Sequence, residues 1–598
     1  MSTRGTPRRR RDPAPATPPT GRWSGDRSYA VLAAVLAVAV RANALLNAMV
    51  WDDRLVIEGF QHAGGFSLDM LAHPSGTIPG FRAGFYRPLL VVLYGVGWSM
   101  GGARPFAYHL IAVAWHGLVT GALVLYAAAL FRACGGSTRP ALWAGLGFAV
   151  LPIHGQSVAW VTSATDVMCA AGLVAAALAG LAQREAVCVL GTAVGVFGAS
   201  LAKETAVVSL LFLPLQSVLV RQRAWHSRRP LYVGLACGAA AAAHVALRAA
   251  SGFALGYEPA ADSAEAAAGN AIGDMLAVTG TYVLRLLLPL VSLEERFSFP
   301  AGAPLMALGT AGLIALAAEC LSAWRRGDRA ALVALLWMGA YLAPSLTPNA
   351  TYMTPVALHR LYIPSIGWVI YLASRFGPLV GRTAHRRVVT AAGAGAMMVL
   401  AVLSWRGNTL WRDENTFWGA VVAMNPDHAL PLSALAAVHL RVQDTAAAAP
   451  LLDRAMAGRG SAYSRARAYE LAGGISLGQQ DLARACERLD AAASLQPQSP
   501  PTQENAAACR ATEAITAARD AKPDAPQRLA EARRRLEELL STAPREAALH
   551  RHLGEVLLAQ GDRPGGRQHL EQTITLSPNS DEGRRAAAVL AQLHSGSS

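Results

Sequence analysis

Two adjacent carboxylates, Asp52 and Asp53, stand in the segment Trp51-Asp52-Asp53-Arg54, just after an apolar run long enough to cross a membrane. A deprotonated carboxylate at a membrane surface can take the proton of an attacking hydroxyl, which is the work of a general base. Taken alone, the pair also reads as the solvated start of a loop. Further polar groups recur at the ends of apolar stretches: His154 after Pro152, Asp166, Lys203 with Glu204, and His359 with Arg360. A charge at membrane depth costs about 2.5 to 3.5 kcal/mol, so these groups are expected to face a cavity and one another rather than lipid. Lys203 and Arg360 suit a lipid-linked phosphate, which arginine binds bidentately and lysine as a point charge. The alternative for each residue singly is that Lys203 and Glu204 pair with neighbours and Arg360 snorkels to the interface.

These residues need a membrane scaffold to position them, and the composition supplies one. Of 598 residues, 53% are hydrophobic and 15% charged, against about a quarter charged in ordinary soluble domains. Apolar segments of about 20 residues, enough to cross a hydrocarbon core, recur from Tyr29 to near Trp405 and then stop. Residues 1–27 are rich in Pro, Arg and Thr and read as a disordered basic tail. The run from Tyr29 to Leu46 has no small-residue cleavage site and reads as an uncleaved first span.

Lys and Arg accumulate in short cytoplasmic loops. That rule places the N-terminal tail, Arg132 and Arg139, and residues 221–229, 325–329 and 375–387 in the cytoplasm. It is satisfied by eleven spans starting near Tyr29, Pro105, Ala141, Asp166, Ala186, Thr205, Leu231, Pro304, Ala330, Leu361 and Val388. Two further apolar stretches, 87–100 and 271–288, then lie along or dip into the outer face. The odd count puts a first outer loop, 47–85, and everything beyond residue 408 outside the cell.

From Asn425 onward the chain is rich in Ala, Leu, Arg and Glu, and Pro544 and Pro578 are separated by 34 residues, the tetratricopeptide period. Leu553, Gly554, Leu557, Gly561 and Leu570 fit such a repeat, as do Tyr469, Leu471, Gly473, Gly478, Ala485, Leu489 and Pro497. Stacked helix pairs of this kind form a concave surface for an extended peptide, or alternatively a spacer or lid. The stretch 499–527 looks irregular. The predicted fold class is therefore all-α: a polytopic membrane domain, 28–408, followed by an extracytoplasmic helical-repeat region, 409–598.

Of seven cysteines, Cys486 and Cys509 lie in the soluble part at no metal-ligand spacing. They read as separate thiols packed as small apolar groups, although they can pair if the region is exported. No metal site is expected. The net charge of +14 lies largely in the tail and cytoplasmic loops, where topology and anionic lipid account for it, and no nucleic-acid motif appears.

In order along the chain, the Asp52-Asp53 pair is followed by "FYRPLL" from Phe85, "LPIHGQSVAWVTSATDVMCA" from Leu151, "LAKETAV" from Leu201, "LHRLYIPSIGW" from Leu358 and "WRDENTFWGAVVAMNPDHA" from Trp411. This series resembles the transmembrane and tetratricopeptide O-mannosyltransferases, within the GT-C glycosyltransferases and their bacterial relatives. The resemblance implies a GT-C fold, a polyprenyl-phosphate sugar as donor, a protein Ser or Thr hydroxyl as acceptor, and no cofactor. It implies a catalytic acid in the first outer loop, Asp52 or Asp53, with Arg87, His154, Asp166, Glu204 and His359 lining the site. His359 stands where the family carries an acidic residue, Leu151 replaces a histidine, and "SATD" replaces "GRAD". The competing readings are a non-catalytic membrane scaffold and an O-antigen ligase or polymerase. Composition points to the inner membrane of a bacterium with a GC-rich genome.

Overall fold

The computed structural model describes residues 23–72, 85–220, 228–253, 271–300, 302–346, 354–382 and 386–595. Residues 1–22 of the expected tail, most of the residue 221–229 cluster and part of the first outer loop lie outside these residues, and residues 23–27, expected to be disordered, instead form the first turns of the helix Trp23–Arg41. Among the described residues the chain is all-α apart from one two-residue antiparallel ladder, in which Glu295 pairs with Ala357 and Arg296 with Val356. Numbering helices longer than five residues, the first half of the membrane region contains α1 (Trp23–Arg41), α2 (Asp52–His62), α3 (Pro88–Gly101), α4 (Pro105–Ala133), α5 (Pro140–Val150), α6 (Ala164–Gly180) and α7 (Glu185–Ala202). The second half contains α8 (Ser209–Val220), α9 (Arg229–Ala250), α10 (Ala271–Leu287), α11 (Ala303–Arg325), α12 (Arg329–Leu342), α13 (Tyr362–Arg382) and α14 (Arg386–Asn408).

Every one of the eleven expected spans corresponds to a helix, but among the described residues seven are long and apolar enough to cross a membrane by themselves. Of the others, α13 has 21 residues, whereas α5, α8 and α12 have 11, 12 and 14. Helix α5 ends at Val150 because Leu151, preceding Pro152, is pushed into the extended region (ψ 119°). Lys203 is extended (φ −158°, ψ 142°) and separates α7 from the short 3₁₀ helix Glu204–Val208 that leads into α8. Membrane helices without an oil-water driving force between them associate through small residues. Accordingly Gly172 of α6 faces Gly195 of α7 so closely that a Cβ on Gly172 would stand 2.6 Å from the Gly195 carbonyl.

The two ends of the membrane region are stitched together by polar side chains. Arg41, fully buried, donates to Asn408 Oδ1 (2.7 Å) and to the Leu151 carbonyl (2.6 Å). Asn408 donates back to the Val40 carbonyl, and Ala48 N bonds the Arg412 carbonyl at 2.8 Å. The segment carrying Asp52 is thereby anchored to the last long helix.

Antiparallel helix pairs continue to the C-terminus: α15 (Glu414–Met424), α16 (Ala429–Arg441), α17 (Thr445–Ala457), α18 (Ala462–Gly478), α19 (Leu482–Leu495), α20 (Pro500–Arg519), α21 (Ala525–Thr542), α22 (Ala547–Ala559), α23 (Arg563–Leu576) and α24 (Asp581–Ser595). A single turn device recurs between paired helices. A residue of positive φ (Gln443, Gln480, Gly561) precedes an aspartate (Asp444, Asp481, Asp562) whose carboxylate caps the next helix.

Two expectations are corrected here. The stretch 499–527 is not irregular: most of it is the 20-residue helix α20, packed through Ala506, Ala507, Ala511 and Ala514, small residues that leave no large-hydrophobe periodicity to read. Cys486 and Cys509 are not separate thiols. They face each other across α19 and α20 with Cα atoms 5.4 Å apart and form a disulfide.

Candidate functional site

Asp52 and Asp53 occupy the first turn of α2, whose N-terminus favours negative charge. Trp51, just before them, has φ +54°, a conformation costing a non-glycine residue about 1 to 3 kcal/mol. It persists because the indole is held by aromatic neighbours: it stacks on Trp160 (4.9 Å, 4°) and packs against Phe417 and Trp418 of α15.

The two carboxylates have different surroundings. Asp53 is fully buried and saturated, accepting from the Tyr94 hydroxyl (2.8 Å), Thr162 N (2.7 Å), Thr162 Oγ1 (2.7 Å) and Val161 N (3.0 Å). Burial pushes its carboxyl up to about 6, against the downward pull of those four donors. Asp52 is only half-buried, accepts no hydrogen bond from the described residues, and is pushed up to about 7 by burial and by the charge of Asp53.

The cations form a second group. Lys203 Nζ holds both oxygens of Asp166 (2.8 and 2.7 Å), and Arg87 holds Glu204 through Nη2 (2.9 Å) and Nε (3.3 Å). Arg360 is buried, donates to the carbonyls of Pro355 (2.8 Å) and Thr354 (2.7 Å), and also bonds Tyr282. The structure thus places Lys203 and Glu204 in ion pairs, and Arg360 inside the protein rather than at a lipid interface. His359 lies within reach of Lys203, Arg360 and Arg87, and these charges together with burial hold its imidazole well below the usual histidine range. Its Nδ1 is buried without a partner among the described residues, as is Nε1 of Trp160, whose ring meets the His359 ring edge-on.

Glu295, which sequence reasoning passed over, links the two groups. It is 1% exposed, accepts from Gln156 Nε2 (2.5 Å), and feels the charges of Arg360 and Asp52; burial pushes its carboxyl up to about 7. Gln156 Oε1 in turn accepts from Leu358 N (2.9 Å) and His359 N (3.3 Å). The run Glu294-Glu295-Arg296 beside an apolar helix was the available signal. Tyr94 and Thr162 were also missed. Of the predicted residues, Arg87, Asp166, Lys203, Glu204, His359 and Arg360 come together. His154 stands in a different polar cluster, bonded to Ser365 (2.9 Å) and packed on Phe148, His116 and Tyr362. Among the described residues no cluster of three or more His, Cys, Asp or Glu side chains is arranged to hold a metal ion.

Among the described residues Asp52 accepts no hydrogen bond, Asp53 is held by four donors, and Arg360 is buried while Arg87 and Lys203 are partly so. No family model matches the chain. Among curated proteins it is 37% identical over 82 residues to Protein O-mannosyl-transferase TMTC2 of Mus musculus, covering 14% of this chain and 9% of that protein. It is 30% identical over 192 residues to Protein O-mannosyl-transferase Tmtc1 of Drosophila melanogaster, covering 31% and 22% respectively. The TMTC2 protein of Homo sapiens is 35% identical over 82 residues. The chain matches less than a quarter of the length of these relatives, and over those stretches it is a membrane protein similar to protein O-mannosyl-transferases.

Proposed function

We propose that the chain is a GT-C-type glycosyltransferase that moves a sugar, mannose by analogy with its relatives, from a polyprenyl phosphate to a Ser or Thr hydroxyl of a protein, at the outer face of a bacterial inner membrane. The observation that carries this reading is the asymmetry of the acid pair: Asp53 is fixed by four donors, and Asp52 beside it accepts from none of the described residues.

In the proposed step Asp52 accepts the acceptor hydroxyl proton as that oxygen forms a bond to the anomeric carbon. The bond from that carbon to the phosphate oxygen breaks, and its electron pair leaves with the lipid phosphate. Configuration inverts. Arg360, Lys203 and Arg87 stabilise the charge gathering on the phosphate. Asp53 sets the direction of Asp52 through α2. The helix pairs beyond α14, with the 34-residue spacing of Pro544 and Pro578, support a tetratricopeptide array that presents the protein acceptor. In this reading the array lies outside the cytoplasm and the N-terminus inside. The disulfide between Cys486 and Cys509 supports that orientation, because such bonds persist in oxidising compartments.

Membranes expressing the wild type or Asp52→Asn, given radiolabelled polyprenyl-phosphate sugars, test the reading. Label in protein that disappears in the variant at equal expression supports it. Equal labelling by both removes Asp52 from the chemistry, and labelling by neither across several donors favours a scaffold.

A further inference from the structure

Helix α15 looks, by sequence position, like the start of a separate soluble region. Its contacts say otherwise. On one side Phe417 and Trp418 pack against Trp51, and Glu414 meets Arg54 of α2 (3.7 Å). On the other side Asn425, at the C-terminal end of α15 and 8% exposed, grips the ladder strand of Glu295. Its Nδ2 donates to the Glu295 carbonyl (2.8 Å) and its Oδ1 accepts from Phe297 N (3.1 Å). That strand pairs with Val356 and Ala357, which lead directly into His359 and Arg360. One short helix therefore touches both halves of the site: the turn bearing Asp52 and the ladder that carries Arg360.

We infer that Asn425 is a positioning residue for the lipid-phosphate subsite: by pinning the backbone of Glu295 and Phe297 it fixes the ladder from which Arg360 and His359 reach the phosphate. The phosphate identity rests on the function proposed above. A buried amide that satisfies two main-chain groups across 128 to 130 residues is costly to replace. Loss of such a bond shifts an equilibrium about tenfold or more.

The experiment uses the full-length protein and compares wild type, Asn425→Ala, Asn425→Asp and Arg454→Ala. Arg454 donates to the Pro426 carbonyl (2.7 Å) on the exposed side of the same turn, and serves as a control for structural disturbance. Binding of polyprenyl phosphate is read by thermal shift, and transfer kinetics are read with polyprenyl-phosphate mannose and a Ser/Thr peptide. Asn425→Ala is expected to lower lipid-free melting, weaken lipid-phosphate binding and raise the donor KM about tenfold, with acceptor KM no further from wild type than in Arg454→Ala. Asn425→Asp keeps the acceptor for Phe297 N and loses the donor to Glu295; it should show the same change, and it carries the comparison if the alanine variant fails to fold. Wild-type lipid binding and donor KM in both Asn425 variants would overturn the inference. A wild type that binds the lipid phosphate but transfers no sugar overturns the transferase reading, and the binding comparison still decides the role of Asn425.

Discussion

Asp52 and Asp53 are neighbours in the chain and opposites in bonding: Asp53 accepts from Tyr94, Val161 and twice from Thr162, whereas Asp52 accepts from none of the described residues. A base must keep a lone pair free for its substrate, and a residue with four donors in place has little left to offer. The division of labour this implies leads to the first expected results.

Asp52→Asn should reduce the turnover number by about 10² to 10⁴, the usual contribution of general-base catalysis, with little change in expression or melting. Tyr94→Phe should act through Asp53. Removing one donor from a buried carboxylate costs about 1 to 3 kcal/mol, so a lower melting temperature is expected together with a partial loss of activity. Single-turnover rates and thermal unfolding in detergent separate the two effects.

Activity should fall in acid through the titration of Asp52. The group takes a proton from the acceptor only when it is ionised, and burial together with Asp53 raises its carboxyl to about 7. The profile of kcat/KM should therefore be flat above about 7 and drop about tenfold per unit well below it. A profile flat to pH 5 would assign the base elsewhere.

The Lys203–Asp166 pair is enclosed, with side chains 15% and 4% exposed. Lys203→Met leaves a buried carboxylate without its counter-charge and should cost about 3 to 5 kcal/mol. Lys203→Met combined with Asp166→Leu should recover much of that stability while transfer stays low, because the cation facing the phosphate is still missing. Melting curves and transfer assays on the same preparations check both halves.

Denatured but unreduced protein should react with maleimide at five cysteines, since Cys134, Cys169, Cys188, Cys237 and Cys320 are free and the remaining two are bonded to each other. Cys486→Ala with Cys509→Ala should destabilise the C-terminal helices by about 3 kcal/mol, the loop-closure value for a separation of this size. Mass spectrometry of the alkylated protein and limited proteolysis of the variant provide the readouts.

The parts of this molecule that were legible in the sequence are those encoded locally. Apolar runs announce the helices, and charges stranded within them announce that Lys203, Glu204 and Arg360 need company. Which partners they take is not local: Glu204 meets Arg87 across 117 positions and Lys203 meets Asp166 across 37. The roles of Asp52 and Asp53 stay degenerate in sequence because the donors that separate them come from positions 41 and 109 residues away. Span lengths were overread where proline and an extended lysine interrupt the helices, and the disulfide was underread because an alanine-rich helix hides its own period. Glu295 was passed over because its function depends on a two-residue ladder too short to leave a pattern.

The supports of Asp52 also set an order of events during synthesis. The acid pair is made early, just after the first membrane helix, but Trp51 and Asp53 are fixed by residues 94, 160–162, 417 and 418. A nascent chain arrested before residue 161 lacks the backbone donors of Asp53, and one arrested before residue 417 lacks the Phe417 and Trp418 packing of Trp51. The full set of supports around Trp51 is therefore complete only after the last membrane helix, which ends at Asn408, has been made.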